Sequence, residues 1–401
     1  FQHGPLHIYE NILDWALNAY NLPLAGHDGD NDTQVATVGA GRGAAPAQNR
    51  GQLESSLRVR GQLAKEGFPS DGAEGEWTVK GTRNIFLISS ATQHGVNREV
   101  KTKLDAFLKE HGDKGRQNPD HIRFLTYTTR YNKCFWVSLD GLERHYERAE
   151  IDAERSNGGR QYKITTKNLT RLTVRETSKA DTLQIDGQEL KVKAAPEIVL
   201  EKAGGKWRPT KPGKWAGVHK THAIQGPIDD AFLDPYLLVR PTGTPWNEAA
   251  NQHALRILEH FDHVYAMNYR AHPRVKDDKD VTEADFARYN VVLFGDPGSN
   301  RWIAKMAAKL PLKWTRESVA IGGHSFSAVE HLPVLGYPNP LNPSRYVVLN
   351  TGLTISDQDY NADYAMPRFG DVAILKIKDA SEPPEIAWGG LFDESWQTPK
   401  D

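Results

Sequence analysis

The stretch Asn21-Leu22-Pro23-Leu24-Ala25-Gly26-His27-Asp28-Gly29-Asp30-Asn31-Asp32 runs from apolar residues into a glycine and three alternating carboxylates. This pattern predicts a buried strand ending in an acidic loop. Further on, Asn84-Ile85-Phe86-Leu87-Ile88-Ser89-Ser90-Ala91-Thr92-Gln93-His94-Gly95 repeats the design, with a small-residue loop that now delivers a histidine. Between them, Leu53 to Gly67 supplies one helix's worth of sequence. If the two strands are parallel, both loops reach the same edge of the sheet, where a carboxylate holds a histidine in one tautomer.

Strand, acid, helix, strand, histidine is the order in which the second half of an α/β-hydrolase presents its triad acid and then its base. Asp28, Asp30 and Asp32 compete for the acid role, and His27 is a second histidine in the acid's own loop. The alternating carboxylates also suggest the start of a calcium-binding loop. That loop needs a glycine at its sixth position and a glutamate at its twelfth, where this chain has Thr33 and Gly39. The nucleophilic serine of a hydrolase should precede the acid on a Gly-x-Ser-x-Gly elbow, yet residues 1–31 contain no serine. Gly322-Gly323-His324-Ser325-Phe326-Ser327 imitates an elbow until its last position, where Ser327 stands for the required glycine. Leu332 to Leu335 then reads as a strand and not a helix, so Ser325 is not expected to be the nucleophile.

Several segments carry a more specific resemblance. They are Leu6-His7-Ile8-Tyr9-Glu10 through Asn18-Ala19-Tyr20-Asn21-Leu22-Pro23 to Asp32, Arg123-Phe124-Leu125-Thr126-Tyr127-Thr128, Gly226-Pro227-Ile228-Asp229-Asp230-Ala231-Phe232, Phe294-Gly295-Asp296-Pro297-Gly298-Ser299-Asn300 and Tyr337-Pro338-Asn339-Pro340-Leu341-Asn342-Pro343. Over nearly its whole length the chain resembles the C-terminal part of large, multidomain, prolyl-oligopeptidase-like (peptidase S9-type) serine hydrolases of bacteria. The resemblance implies a peptide or ester substrate, with Asp32 as triad acid, matching a glycine, two residues and an aspartate from Gly29, and His94 as base. It implies a nucleophilic serine upstream of Phe1, in the same or another chain, so this chain is expected to be a processed or incomplete piece or a subunit. It also implies an extracytoplasmic location, periplasmic or secreted.

Lys and Arg number 50 against 51 Asp and Glu, so no overall basic field exists to recruit nucleic acid or an anionic membrane. No stretch approaches the roughly 20 apolar residues that span a bilayer. The one cysteine, Cys134, lies between aromatics on an expected strand and reads as a packed core thiol. The loop Gly295 to Asn300 leads a strand into a helix start whose amides could take an anion. It lacks both the dinucleotide fingerprint and the Walker lysine, so no cofactor is expected, and no metal.

The expected architecture is multidomain α/β plus β. Residues 1–114 read as a partial α/β-hydrolase sheet with helices at Ile8–Ala19 and Val100–His111. Residues 118–215 hold seven short segments rich in β-branched and aromatic residues, turning at Asn157-Gly158-Gly159 and Asp186-Gly187, as in an antiparallel immunoglobulin-like sandwich. Trp136, Tyr146, Tyr162 and Trp207 there could form a sugar or peptide platform or could equally be core. Lys206 to Lys214 reads as an ordered basic linker, and Tyr337 to Pro343 as extended and stiff. Residues 226–380 alternate strand and helix, as in a mostly parallel flavodoxin-like or Rossmann-like domain. The aromatic tail 381–401 is expected to dock on another domain. The alternative to an enzyme is a noncatalytic scaffold with a relic hydrolase domain and a glycan- or peptide-binding sandwich.

Overall fold

The structure is a computed structural model that describes residues 12–32, 51–213, 215, 217–352, 369–378 and 384–398. It is a mixed α/β protein with several sheets and few helices. The chain divides into two compact units, one of Phe1–Tyr127, Asn132–Leu142 and Tyr146–Pro212, the other of Thr128–Tyr131, Glu143–His145 and Gly213–Asp401.

The first unit opens with a 3₁₀ helical segment, Ile12–Asn21; residues 8–11 of the expected helix lie outside the described residues. Strand β1 (Leu24–Gly29), helix α1 (Gly51–Lys65), the hairpin of β2 (Ser70–Ala73) and β3 (Glu76–Val79), strand β4 (Asn84–Ser89) and helix α2 (Arg98–Asp113) follow. The sheet order is β1-β4-β3-β2. β1 and β4 pair in parallel, Leu24 opposite Asn84 through Gly29 opposite Ser89. α1 turns Leu53, Val59 and Leu63 inward, while Val100 and Leu104 of α2 pack with Ala25 and Leu87. Both faces of the parallel pair are therefore buried, as parallel strands require. The hairpin is an addition to the expected order. Its inner strand, β3, alternates exposed and buried residues, and Trp77 stacks on Phe86 of β4 at 5.2 Å.

Two asparagines tie this layer to the strand His121–Thr126 that follows. The Asn18 amide donates to Leu125 O at 3.0 Å and accepts from Leu125 N at 2.8 Å. Asn21 does the same to Arg123, at 2.6 and 3.1 Å. A primary amide mimics a peptide group, so each asparagine extends the sheet pairing without a strand of its own.

The rest of the unit is two five-stranded sheets. One runs Lys206–Thr210, Glu197–Ala203, Leu169–Arg175, Val137–Leu142, Lys133–Cys134; the other runs Gln188–Lys191, Thr182–Ile185, Gln161–Lys167, Ala149–Ser156, His121–Thr126. Inward residues of both form one apolar core. Pairing is antiparallel except between Gln161–Lys167 and Thr182–Ile185. The turn residues Asn157, Gly158, Asp186 and Gly187 all have positive φ, the conformation that tight hairpins demand. Trp136, Tyr162 and Trp207 are buried in this core, so of the four candidate platform aromatics only Tyr146 is exposed. Burial also pushes the Cys134 thiol up to about 12. Lys206–Thr210 is an edge strand and not a linker: Trp207 points inward and donates Nε1–H to Asp186 at 2.7 Å, while the charged neighbours Lys206 and Arg208 face outward. Pro209 is tolerated because the strand is at an edge.

In the second unit a seven-stranded sheet runs Val275–Asp277, Tyr236–Arg240, Asn290–Leu293, Asn342–Leu349, His331–Asn339, Val372–Lys376, Glu385–Gly390. Its first four strands are parallel and its remaining pairings antiparallel, so the expected mostly parallel sheet is in fact mixed. The reason lies at Tyr337–Pro343. This segment reverses, with Asn339 Oδ1 accepting from Leu341 N at 2.9 Å, and the hairpin turns the sheet antiparallel. Helix Glu248–Tyr269 is capped by Asn247 and helix Arg301–Met306 by Asn300. In the described part of the aromatic tail, Glu385–Gly390 is the seventh strand of this sheet, and Phe392 and Trp396 are buried in the same unit's core.

At that core Lys220 Nζ meets Asp371 Oδ2 at 2.7 Å with neither side chain exposed, and Nζ lies 5.2 Å from the Trp396 ring. Removing one partner of such a pair strands a buried charge. Lys220→Met is expected to cost about 3–5 kcal/mol in denaturant unfolding, and Lys220→Met with Asp371→Leu to recover most of that loss. Equal stability of the single and double variants would show that the charges do not depend on each other.

Candidate functional site

The site is built where β1 and β4 end. Because they are parallel and in register, the loops after Gly29 and Ser89 leave the same edge side by side. Asp30 N donates to Ser89 O at 3.1 Å, Asn31 N to Thr92 O at 3.0 Å, and Thr92 N to Asp30 Oδ1 at 3.3 Å. Gly29 permits this approach. A Cβ there would lie 2.0 Å from Gln93 O and 2.6 Å from Thr92 O, inside any allowed contact. Asn97 closes the second loop by capping α2, accepting from Val100 N at 2.9 Å.

The loops bring the two sequence-predicted residues together. His94 Nδ1 lies 2.7 Å from Asp32 Oδ2. The Asp32 side chain is 1% exposed and that of His94 is 50% exposed. A carboxylate can only accept, so Nδ1 carries a proton, and in the neutral form of the ring the lone pair is on Nε2. That is the orientation in which an imidazole acts as a general base toward a hydroxyl.

The other carboxylates of the loop have separate duties. Asp30 holds Thr92 N, and Asp28 is buried on β1 and accepts from the Ser56 hydroxyl of α1. Burial pushes the Asp28 carboxyl up to about 7, against the lowering effect of Ser56, and the nearby Asp32 charge raises it further. Sequence reasoning missed Ser56, although its spacing from Leu53, Val59 and Leu63 puts it on the inward face of α1. His27 lies buried with Nε2 2.8 Å from Ser89 Oγ. Among the described residues no group of three or more His, Cys, Asp or Glu side chains converges as a metal site.

Two further sequence candidates are settled by geometry. Ser325 is exposed on the strand His324–Ser327, in a three-stranded antiparallel sheet with Lys313–Trp314 and Ser318–Ile321, so it has no strand-to-helix elbow to activate it. In the loop Gly295–Asn300 the amides that could take an anion are occupied. Asp296 Oδ1 accepts from Gly298 N and Ser299 N at 2.8 and 2.9 Å, and Oδ2 from Trp246 N and Asn247 N at 2.7 and 3.2 Å.

No protein-family model, curated protein or solved structure matches this chain.

Two measurements test the geometry. Gly29→Ala should push the His94 loop away, lower stability by about 1–3 kcal/mol and abolish the low-field imidazole N–H proton resonance of the His94–Asp32 bond. Retention of that resonance would show that the close approach is not required. A carboxyl whose pKa is raised by folding contributes stability that is fully present below the unfolded value and lost as pH rises through the folded one. Between about pH 4 and 7 the protein should therefore lose stability through Asp28. Asp28→Asn should flatten that slope and raise Tm at pH 8 by about 5 °C, and an unchanged slope would place the pH dependence elsewhere.

Proposed function

We propose that this chain is the acid-and-base portion of a serine hydrolase that cleaves an ester or peptide bond. The observation that carries the reading is the Asp32–His94 pair: a buried carboxylate bonded at 2.7 Å to the Nδ1 of a half-exposed imidazole, at the carboxyl ends of adjacent parallel strands. Asp32 orients His94 and stabilises the imidazolium that forms. His94 Nε2 takes the proton of a serine hydroxyl as that oxygen attacks the carbonyl carbon, then returns it to the leaving group. The nucleophile comes from polypeptide upstream of Phe1, in the same or another chain, as in the prolyl-oligopeptidase-like hydrolases that the sequence resembles. On this reading residues 1–114 are the C-terminal portion of an α/β-hydrolase domain. The paired five-stranded sheets are an immunoglobulin-like module, and the parallel half of the seven-stranded sheet is of flavodoxin type.

A fluorophosphonate probe tests the proposal, because it labels only an activated serine. The protein isolated from its natural source should be labelled, with the modified peptide mapping outside residues 1–401. His94→Gln and Asp32→Asn should slow labelling by about 10²-fold or more while the circular-dichroism spectrum stays unchanged. Absence of label, label on Ser325, or label indifferent to His94 would overturn it.

A further inference from the structure

At the opposite end of β1 and β4 lies a hollow of about 280 Å³. Leu22 and Arg83 of its wall precede the two strands, whereas Asp32 and His94 follow them. With six residues per strand rising about 3.3 Å each, the hollow is about 20 Å from the Asp32–His94 rim, so its use does not depend on the hydrolase reading.

The floor is apolar. Phe107 is half-buried, while Leu22 and Leu108 are 52% and 45% exposed, which is costly for large aliphatic side chains on one patch. The rim is basic. Arg83 donates to Asn21 O at 3.2 Å and Arg116 lies 5.0 Å over the Phe135 ring, and neither guanidinium has a carboxylate partner among the described residues. Lys114 is on the same rim and is answered by Glu110 at 2.7 Å. Among the described residues no acidic side chain lines the hollow. Two guanidiniums without carboxylates beside exposed aliphatic surface complement a ligand with an apolar group flanked by carboxylates. At about 280 Å³ the hollow falls below the roughly 300–1,000 Å³ of sites that enclose a small molecule. It suits one large anchoring side chain of the kind that dominates protein interfaces.

We propose that this hollow is a docking site for a partner polypeptide segment that inserts one large apolar side chain between Arg83 and Arg116 and pairs flanking acidic residues with them. The probe is a fluorescein-labelled heptapeptide with a central phenylalanine between glutamates, titrated into the full chain and read by fluorescence anisotropy. Saturable binding is expected, weakened at least tenfold when the glutamates are replaced by glutamines and at least tenfold when the phenylalanine is replaced by alanine. Arg116→Gln should produce a comparable loss with an unchanged circular-dichroism spectrum, since Arg116 is exposed. Arg83→Gln is the second variant, and Leu108→Asp should abolish binding. No saturation up to about 1 mM, equal binding of the glutamine peptide, or full binding by Arg116→Gln would overturn the proposal. Saturable binding of decanoate without binding of the peptide would also overturn it, assigning the site to a lipid carboxylate instead.

Discussion

The parallel, in-register pairing of β1 with β4 is the constraint on which the candidate site depends. A one-residue slip would send alternate side chains to the opposite face, exchanging the environments of His27 and Asp28 and separating the two terminal loops. The register is held from both sides, by α1 through Leu53, Val59 and Leu63 and by α2 through Val100 and Leu104. It is locked at the edge by Gly29, whose missing side chain lets the backbone of one loop lie against the backbone of the other. Asp32 and His94 then meet because their loops have little freedom to do otherwise, so little entropy remains to be lost in aligning them.

The electrostatics follow from that packing. Burial away from water disfavours the charged form of a carboxyl, and a second carboxylate nearby adds a smaller push in the same direction. Asp28, beneath the sheet edge and accepting only a neutral hydroxyl, is pushed up to about 7, while Asp32 faces the imidazole. The alternation that looked like a metal loop in the sequence instead distributes three carboxylates to three partners: a hydroxyl, a backbone amide and a histidine.

Much of this was legible in the sequence, and what was not has identifiable causes. The core strands of β1 and β4 and the helices around them are continuous apolar or periodic runs, which local sequence states well. The Asn-Gly and Asp-Gly turns were equally plain, because few other residues accept positive φ. The β2–β3 hairpin was hidden because only Trp77 and Val79 of its eight strand residues turn fully inward. The strand Lys206–Thr210 looked like a linker because an edge strand shows solvent its charged face and can keep a proline. At Tyr337–Pro343 alternate prolines suggested an extended rod, but proline fixes φ and not the direction of the following peptide, and Asn339 closes a turn between two extended arms. The role of Ser56 is visible only once α1 is laid on β1, since nothing local connects it with Asp28.

A histidine bonded to a carboxylate is not by itself a catalytic pair, and this chain supplies the comparison. Glu394 holds His145 Nδ1 at 2.5 Å, but the His145 side chain is 2% exposed and its Nε2 is occupied 3.0 Å from Thr129 Oγ1. That pair is a buried cross-link. His121 bonds Asp152 at 2.7 Å through Nε2 and meets the Tyr20 hydroxyl at 2.9 Å through Nδ1, with the carboxylate itself half-exposed; water there weakens the hold on the tautomer. His272 and Asp262 pair on the surface. Asp32 and His94 combine what the others divide: a carboxylate shielded from water, so that its hold on Nδ1 is strong, and a half-exposed imidazole at the edge of two parallel strands. The proposed role as a base asks for a histidine held firmly by its acid and not itself enclosed, and a buried Asp32 beside a half-exposed His94 supports that proposal better than the other three pairs would.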